Sequence, residues 1–176
     1  MWTPLTRSRT VLPIIGEATG PAGAKWLRVG VPARPNGTTG WVRAAAGIEA
    51  ETPWTIVIRR ADRRAVVLRA GRVEARFPVV LGKRSTPTPL GRFFVTEKLS
   101  IAPGVTEGPW ALATSAYSDV LQQFGGGPGQ IALHGTVGFA DPLGTFASHG
   151  CIRLSVAAIT WIAHRVVDGT PVIVER

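Results

Sequence analysis

Short runs of alternating or continuously apolar residues dominate the chain after residue 53, as expected for strands with one or two buried faces. Six runs share this character: WTIVIRR (54–60), RAVVLRA (64–70), VEARFPVVLG (73–82), RFFVTEKL (92–99), QIALHG (130–135) and TPVIVER (170–176). The first three are separated by turns containing AD and GR, so they predict a three-stranded antiparallel meander. This part of the chain is therefore predicted to be mainly β.

Three other stretches break the alternation. SVAAITWIAHRVVDG (155–169) is apolar nearly all round and predicts the one substantial helix, with Ser155 as its N-cap and Gly169 as its C-terminal stop. The prolines of STPTPLG (85–91) cannot donate ladder hydrogen bonds, so this stretch predicts a loop. Residues 100–130 are rich in glycine and proline and predict a long loop with short structured pieces.

Residues 1–50 predict a separate small β segment. Two short strands, around Trp26–Val31 and Gly40–Arg43, flank the turn Pro35-Asn36-Gly37, and Asn-Gly is a strong hairpin signal. The stretch resembles part of a bacterial SH3-like module. The linker GIEAETP (47–53) leads to the larger unit, so we predict a small segment over 1–50 and a main domain over 53–176.

Composition and charge narrow the functional classes. The 176 residues are 45% hydrophobic and 18% charged, which suits a buried core. No apolar run approaches the roughly 18–20 residues of a membrane span, and no signal peptide is visible, so a leader would have to be removed from an exported form. The net charge of +9 comes from dispersed arginines, which does not favour nucleic acid. The charge is compatible with anionic cell-wall polymers as partners, and equally with a basic protein that has no special partner.

Cys151 is the only cysteine and lies in ASHGCIRL (147–154), which excludes an internal disulfide. His149 precedes it by two residues, and His134 lies upstream in IALHGT. One interpretation treats these residues as core and turn formers. A second makes His134, His149 and Cys151 zinc ligands with water in the fourth position, although a separation of two residues is tighter than usual chelating spacings.

A third interpretation makes Cys151 a nucleophile. A nearby imidazole would take the thiol proton, and the thiolate would attack a carbonyl. Backbone N–H groups of Gly150 and Cys151 would stabilise the oxyanion, and Arg153 would anchor a carboxylate through a bidentate pair. This interpretation gives every polar residue of the motif a chemical role.

The same residues carry a resemblance to a known family. HGTVGFADPLGTFASHGCIRL (134–154) resembles the signature of the L,D-transpeptidase catalytic domain (YkuD type), in which a histidine and a spacer precede Ser/Thr-His-Gly-Cys, an apolar residue and Arg or Asn. LGKRSTPTPLGRFFV (81–95) is similar to the family's Gly…Thr-Pro-x-Gly-x-Phe segment. The 13-residue spacer between His134 and Ser148 lies at the short end of the family's range, which bears on loop shape.

The resemblance implies a fold and a site. The fold would be a β-sandwich or mixed sheet with one substantial helix. Cys151 would be the nucleophile and His134 the base, oriented by the backbone carbonyl of Gly135. The remaining motif residues would shape the pocket or bind substrate and oxyanion: Ser148, His149, Gly150 and Arg153. No metal or cofactor is implied.

The resemblance also implies a reaction. The thiolate would attack the peptidoglycan stem tetrapeptide at the L-centre of the third-position diamino acid, expel D-alanine and form a thioester. An acceptor amine would complete a crosslink, and water would make the enzyme a carboxypeptidase. Such enzymes are extracytoplasmic and open to acylation by carbapenems. A silent wall-binding module and a generic cysteine peptidase are the alternatives.

Two further residues are interpreted outside the motif. His164, within the predicted helix, is expected to be a surface or packing residue. Trp110 and the GGGPG segment (125–129) are expected to form a lid over a peptide groove.

Overall fold

The N-terminal part of the chain forms a small sheet of its own. The structure, a computed structural model, describes residues 2–176. Three antiparallel strands pair in chain order: β1 (Ile14–Thr19), β2 (Lys25–Gly30) and β3 (Thr39–Arg43). The predicted hairpin is confirmed to within one residue at each end. The strand β1 was not predicted, because its side chains are mostly exposed and its sequence shows no alternation. The SH3-like assignment and the boundary at residue 50 stay predictions.

The main sheet contains eight strands. The strand numbers continue from the small sheet in chain order, and the numbers 7 and 11 belong to two short strands outside the main sheet. The eight strands are β4 (Trp54–Arg59), β5 (Arg64–Arg69), β6 (Arg72–Pro78), β8 (Gly91–Ser100), β9 (Trp110–Tyr117), β10 (Gln130–His134), β12 (Ile152–Arg153) and β13 (Pro171–Glu175). Their spatial order is β12-β10-β9-β8-β13-β4-β5-β6. The pairs β10–β12 and β13–β4 are parallel and the others antiparallel, so the predicted mainly β fold with a mixed sheet is confirmed.

The predicted meander is confirmed, but its third strand ends sooner than expected. The strand β6 stops at Pro78. Beyond it, β7 (Leu81–Gly82) pairs in parallel with β11 (Phe146–Ser148), outside the main sheet. Between them Val80 exchanges two backbone hydrogen bonds of 2.9 Å with Arg153. The residues after Pro78 are apolar because they are buried, and Val80 among them pairs with the strand that carries Arg153.

The prediction of a long loop over residues 100–130 is wrong for its middle. Residues 110–117 form β9, a central strand with a buried stretch from Leu112 to Ala116. The side chains of this stretch are mostly small, and the glycines and prolines on both sides hide the strand from a hydropathy reading. Loops remain on either side, at 101–109 and 118–129.

Within residues 2–176 the one α-helix, α1, spans Val156–Ala163 and is shorter than predicted. Ser155 is its N-cap, since its side chain accepts a hydrogen bond of 3.2 Å from the Ala158 N–H. The helix ends at Ala163 and not near Gly169. Lys98 Nζ donates to the carbonyls of Ala163 and Val166 at 2.9 and 3.2 Å and so caps the C-terminus, while Gly169 N–H already donates to Val95 on β8.

One hydrophobic core lies between this helix and the main sheet. Its fully buried members come from both layers, among them Ile56, Leu112, Leu133, Ile159 and Ile162. Trp161 of the helix packs against Trp54 and Phe77 with ring centroids 6.2 and 5.6 Å apart. Among the helices within residues 2–176, none has the length and hydrophobicity needed to cross a bilayer.

Candidate active site

The parallel pair at the edge of the main sheet brings the two halves of the histidine–cysteine motif together. Leu133 pairs with Ile152 and His134 with Arg153. Leu133 and Ile152 point into the core, and both are fully buried. Because side chains alternate along a strand, His134 and Arg153 lie on the opposite face, together with Cys151 immediately before β12. Residues 17 positions apart in sequence thus share one surface.

A groove of about 450 Å³ lies over this surface. Its floor contains Ala132, His134, Cys151 and Arg153, and His149 lies at its side. The loop 118–129 forms the outer wall, and Glu107 and Phe139 are among the other lining residues. The structure therefore brings His134, His149, Cys151 and Arg153 of the predicted set into one cavity.

His134 is buried and held in one tautomer. Its Nδ1 lies 2.8 Å from the carbonyl oxygen of Gly135, and because a carbonyl only accepts, Nδ1 carries the proton and Nε2 keeps a lone pair. Burial lowers the pKa of His134 more than the hydrogen bond to the Gly135 carbonyl raises it, and the smaller effects of Arg153, which lowers this pKa, and Glu107, which raises it, act in opposite directions. The imidazole is therefore neutral at neutral pH and can accept a proton at Nε2.

Gly135 is itself fixed by the loop 101–109. Its N–H donates to the carbonyl of Glu107 at 2.9 Å. A Cβ at this position would collide with the Gly108 carbonyl oxygen, so the close approach requires glycine. The carbonyl that orients His134 therefore has a defined direction.

Cys151 is half-buried at the floor of the groove. Burial raises the pKa of the Cys151 thiol, while a hydrogen bond with the backbone of Ala132 and the charge of Arg153 lower it to a smaller extent. At neutral pH the group is therefore mainly a thiol, and a nucleophile made from it needs a base. His134, buried and neutral, lines the same groove as this thiol.

The turn before Cys151 is held by Ser148, whose side chain is fully buried. Ser148 Oγ donates to the Cys151 carbonyl at 2.6 Å and accepts from the Gly150 N–H at 3.2 Å. The Gly150 amide, expected to serve an oxyanion, is therefore engaged in the turn. Within residues 2–176 the Cys151 amide donates to no acceptor, so of these two amides it is the one without a hydrogen bond.

Gly150 has a backbone conformation that other residues rarely adopt. Its φ is +122°, and a Cβ would lie 2.8 Å from Ile131 Cδ1. Its carbonyl accepts a hydrogen bond of 2.8 Å from the buried Thr88 Oγ1, which also accepts from the Gly82 N–H at 2.9 Å. Thr88 is the threonine of the Thr-Pro-x-Gly-x-Phe segment, and this segment is the sequence signal that points to it as a site residue.

Arg153 is buried under the groove and only partly paired. Its Nη1 donates to Asp141 Oδ2 at 2.6 Å, and its guanidinium lies 3.7 Å from the ring centroid of Phe139. Among residues 2–176, no acceptor takes a hydrogen bond from its buried Nε–H. One donor of a desolvated cation is thus unsatisfied, which is the condition expected of a group that meets a ligand. Asp141 and Phe139 carry no sequence signal of this role.

His149 stands apart from the floor. Its ring stacks on Phe124 of the 118–129 loop with centroids 5.0 Å apart and planes 26° from parallel, and its Nε2 lies 3.3 Å from Lys83 Nζ. The zinc interpretation is therefore not supported, and in the described part of the chain no three His, Cys, Asp or Glu side chains converge as a metal site.

Of the two parts expected to form a lid, only the GGGPG segment lies at the groove. Gly125 and Gly129 line the groove, but Trp110 does not. Trp110 begins β9 and packs edge-on against His164, with ring centroids 5.7 Å apart, because its side chain lies against the core near the helix. His164 is exposed and packs on that ring, as expected of a surface or packing residue.

Comparison with known proteins places these observations in a family. The family model described as the L,D-transpeptidase catalytic domain (YkuD) matches residues 53–174. This range contains every predicted site residue and the whole main sheet except Glu175, the last residue of β13. No match was found among curated protein sequences.

Solved structures share the fold at low sequence identity. The L,D-transpeptidase LdtMt1 in complex with imipenem is 21% identical with a TM-score of 0.56, over 95% of this chain and 82% of that one. An L,D-transpeptidase from Mycobacterium tuberculosis is 18% identical with a TM-score of 0.59, over 96% and 97%. An Enterococcus faecium L,D-transpeptidase mutant is 22% identical with a TM-score of 0.53 over 70% of this chain, and the match spans only 50% of that one.

Proposed function

Because this chain belongs to the L,D-transpeptidase catalytic domain family, we propose that it is a cysteine L,D-transpeptidase of peptidoglycan stem peptides. The observation that carries the proposal is the state of His134. Its Nδ1 proton is held by the Gly135 carbonyl, so Nε2 is free to accept a proton in the groove that it shares with Cys151. The enzyme acts outside the cytoplasm, where stem peptides are assembled into the wall.

Acylation begins with transfer of the thiol proton from Cys151 Sγ to His134 Nε2. The sulfur attacks the carbonyl carbon at the L-centre of the third-position diamino acid, and a C–S bond forms. The Cys151 amide donates to the oxyanion of the tetrahedral intermediate. When the C–N bond breaks, the leaving D-alanine nitrogen takes the proton from His134 Nε2, and a thioester remains on Cys151.

Deacylation repeats these steps in reverse order. The amine of a second stem gives a proton to His134 Nε2 and attacks the thioester carbonyl. The C–S bond breaks, an amide bond forms, and the sulfur recovers its proton from the imidazole. Water in place of the amine would release a free tripeptide, so the acceptor decides between crosslinking and carboxypeptidase activity.

Arg153 and the motif turn supply binding and orientation. The free Nε–H of Arg153 pairs with a carboxylate of the donor peptide and meets the donor's charge in a desolvated position. Ser148, Gly150 and Thr88 keep the backbone at Cys151 rigid, so the oxyanion donor does not have to reorganise. His149 lines the side of the groove and holds substrate there.

The test is release of D-alanine from a stem tetrapeptide, followed by mass spectrometry of the peptide products. The wild-type protein should release D-alanine and form a dimer joined through two diamino acids, and Cys151→Ala should do neither. His164→Gln, which lies outside the groove, is the matched control and should keep full activity. A donor with L-alanine in the fourth position should be inert, and its cleavage would support a generic cysteine peptidase instead.

A further inference from the structure

The connection between β2 and β3, residues 31–38, reaches across to the active-site groove. We propose that Arg34 and Asn36 of this 31–38 turn are positioning residues that fasten the 118–129 loop as the outer wall of the groove. The proposal deepens the proposed function and rests on it, since it makes the N-terminal segment part of the donor-binding site.

Arg34 holds the two ends of the loop together. Its Nη1 donates to the carbonyl of Ser118 at 2.6 Å, and its Nη2 donates to the carbonyls of Leu121 and Pro128 at 2.9 and 3.0 Å. These carbonyls belong to the start and the end of the loop. A planar guanidinium with its donors in a fixed fork can bridge acceptors spread in this way, and an ammonium group cannot do so with the same geometry.

Asn36 completes the sheet next to the loop. Its Nδ2 donates to the Tyr117 carbonyl at 2.8 Å, and its Oδ1 accepts from the Tyr117 N–H at 2.9 Å. The pairing of β8 with β9 stops at Val95 and Thr114, so Tyr117 has no strand partner on that side. The amide of Asn36 takes the place of a neighbouring strand and fixes the residue from which the loop departs.

The loop has little else to hold it. Its own bonds are one from the Ser118 N–H to the Gly129 carbonyl at 2.9 Å, two of 3.0 Å between the backbones of Phe124 and Gly127, and the capping of Val120 and Leu121 by Ser118 Oγ. Most of its residues are exposed, and Gly129 has a φ of +69°. A Cβ at Gly129 would collide with the Leu121 carbonyl and lie 3.1 Å from Arg34 Nη2, so the glycine lets Arg34 approach.

Fastening the loop keeps Phe124 in the groove that contains Cys151. Phe124 lines the groove and stacks on His149, which is two residues from Cys151. A loop released from Arg34 would carry Phe124 away from His149 and widen the groove. Substrate would then have to order the loop on binding, and this cost falls on donor affinity and not on the proton transfers at His134 and Cys151.

Two measurements on the full chain test the proposal, with Arg28→Ala as the matched control. Arg28 is an exposed arginine of the same small sheet, and it bonds only to Thr39 within that sheet. Hydrogen–deuterium exchange should speed up in residues 118–129 of Arg34→Ala and stay unchanged in Arg28→Ala. The KM for the stem tetrapeptide should rise about tenfold in Arg34→Ala while kcat changes less than about twofold.

Further variants keep the test decisive. Arg34→Lys keeps the charge but not the fork, and it should fall between the wild type and Arg34→Ala. If Arg34→Ala does not fold, Asn36→Ala should give the same faster exchange and higher KM. Unchanged exchange in the loop, or faster exchange with an unchanged KM, would overturn the positioning role. A wild type without turnover would refute the proposed function alone, because the exchange measurement still reports whether Arg34 holds the loop.

Discussion

The floor and the outer wall of the groove are held by different interactions. His134 and Arg153 lie in strands whose backbones pair with each other and with Val80, above a fully buried Leu133 and Ile152. The 118–129 loop, by contrast, is held by a few hydrogen bonds from Arg34 and Asn36, and Phe124 on it is 53% exposed. The floor is therefore part of the main sheet, whereas the wall is held in place by side chains of the N-terminal segment.

This difference separates chemistry from recognition. Groups that exchange protons need fixed geometry, and the sheet edge supplies it. Groups that contact a variable part of a substrate can lie on a more weakly held loop. Substitution of His134 or Cys151 should therefore lower kcat, and substitutions in the wall should raise KM.

The largest effect short of removing the thiol is expected at His134. His134→Gln removes the base while keeping a polar side chain, and kcat/KM for the tetrapeptide should fall about 10²–10⁴-fold. His164→Gln is the control and should leave kcat/KM unchanged, because His164 packs on Trp110 outside the groove. Steady-state kinetics at neutral pH measure both, and a loss of less than tenfold in His134→Gln would contradict the assignment.

A smaller effect is expected from the pairing of Arg153 with a donor carboxylate. Replacing that carboxylate by an amide should cost the wild type about 10–100-fold in kcat/KM, the range of a charge-assisted hydrogen bond. In Arg153→Met the same replacement should cost almost nothing, because the partner is gone.

The control for this cycle is Arg165→Met. Arg165 also stacks on an aromatic ring, 3.9 Å from the centroid of Trp161, but lies outside the groove. It should show the full penalty for the amide donor. If Arg153→Met shows the same penalty, the carboxylate binds elsewhere.

A still smaller effect on the kinetics is expected from substitutions in the wall of the groove. Phe124→Ala removes the ring that stacks on His149, and KM should rise about two- to tenfold with kcat nearly unchanged. Val120→Ala provides the comparison, since Val120 is 54% exposed on the same loop but does not line the groove. Equal kinetics for the two variants would show that Phe124 does not contact substrate.

The smallest effect concerns mild acidification. Burial lowers the pKa of His134 below its usual value, so the neutral imidazole persists as pH falls and is lost only below about 6.5. Burial raises the pKa of Cys151, which moves the alkaline limb upward. A pH profile of kcat/KM should therefore show a broad plateau, and an acid limb above the usual histidine range would contradict the buried neutral base.

The histidine–cysteine site could largely be predicted from the sequence, because its parts are local motifs. The residues before Cys151 form one turn, and the β-rich run ending at His134 predicts a strand beside it. The bond between His134 and the Gly135 carbonyl joins neighbouring residues. The resemblance to a family then related the two motifs to each other.

Long-range contacts could not be predicted in this way. Arg34 reaches a carbonyl 84 residues away through a turn that reads only as a hairpin signal. Asp141 gives no sign in the sequence that it pairs with Arg153. The hydropathy pattern does not predict β9, because Ala113, Thr114 and Ser115 are small or polar and do not resemble the residues of a typical buried strand.

The most direct measurement of the central claim is the intact mass of the protein after incubation with imipenem, the ligand of the LdtMt1 complex. The wild type should gain the mass of one drug molecule, located by peptide mapping at Cys151, and Cys151→Ala should gain none. A wild-type protein of unchanged mass, or an adduct that persists in Cys151→Ala, would contradict a nucleophilic Cys151.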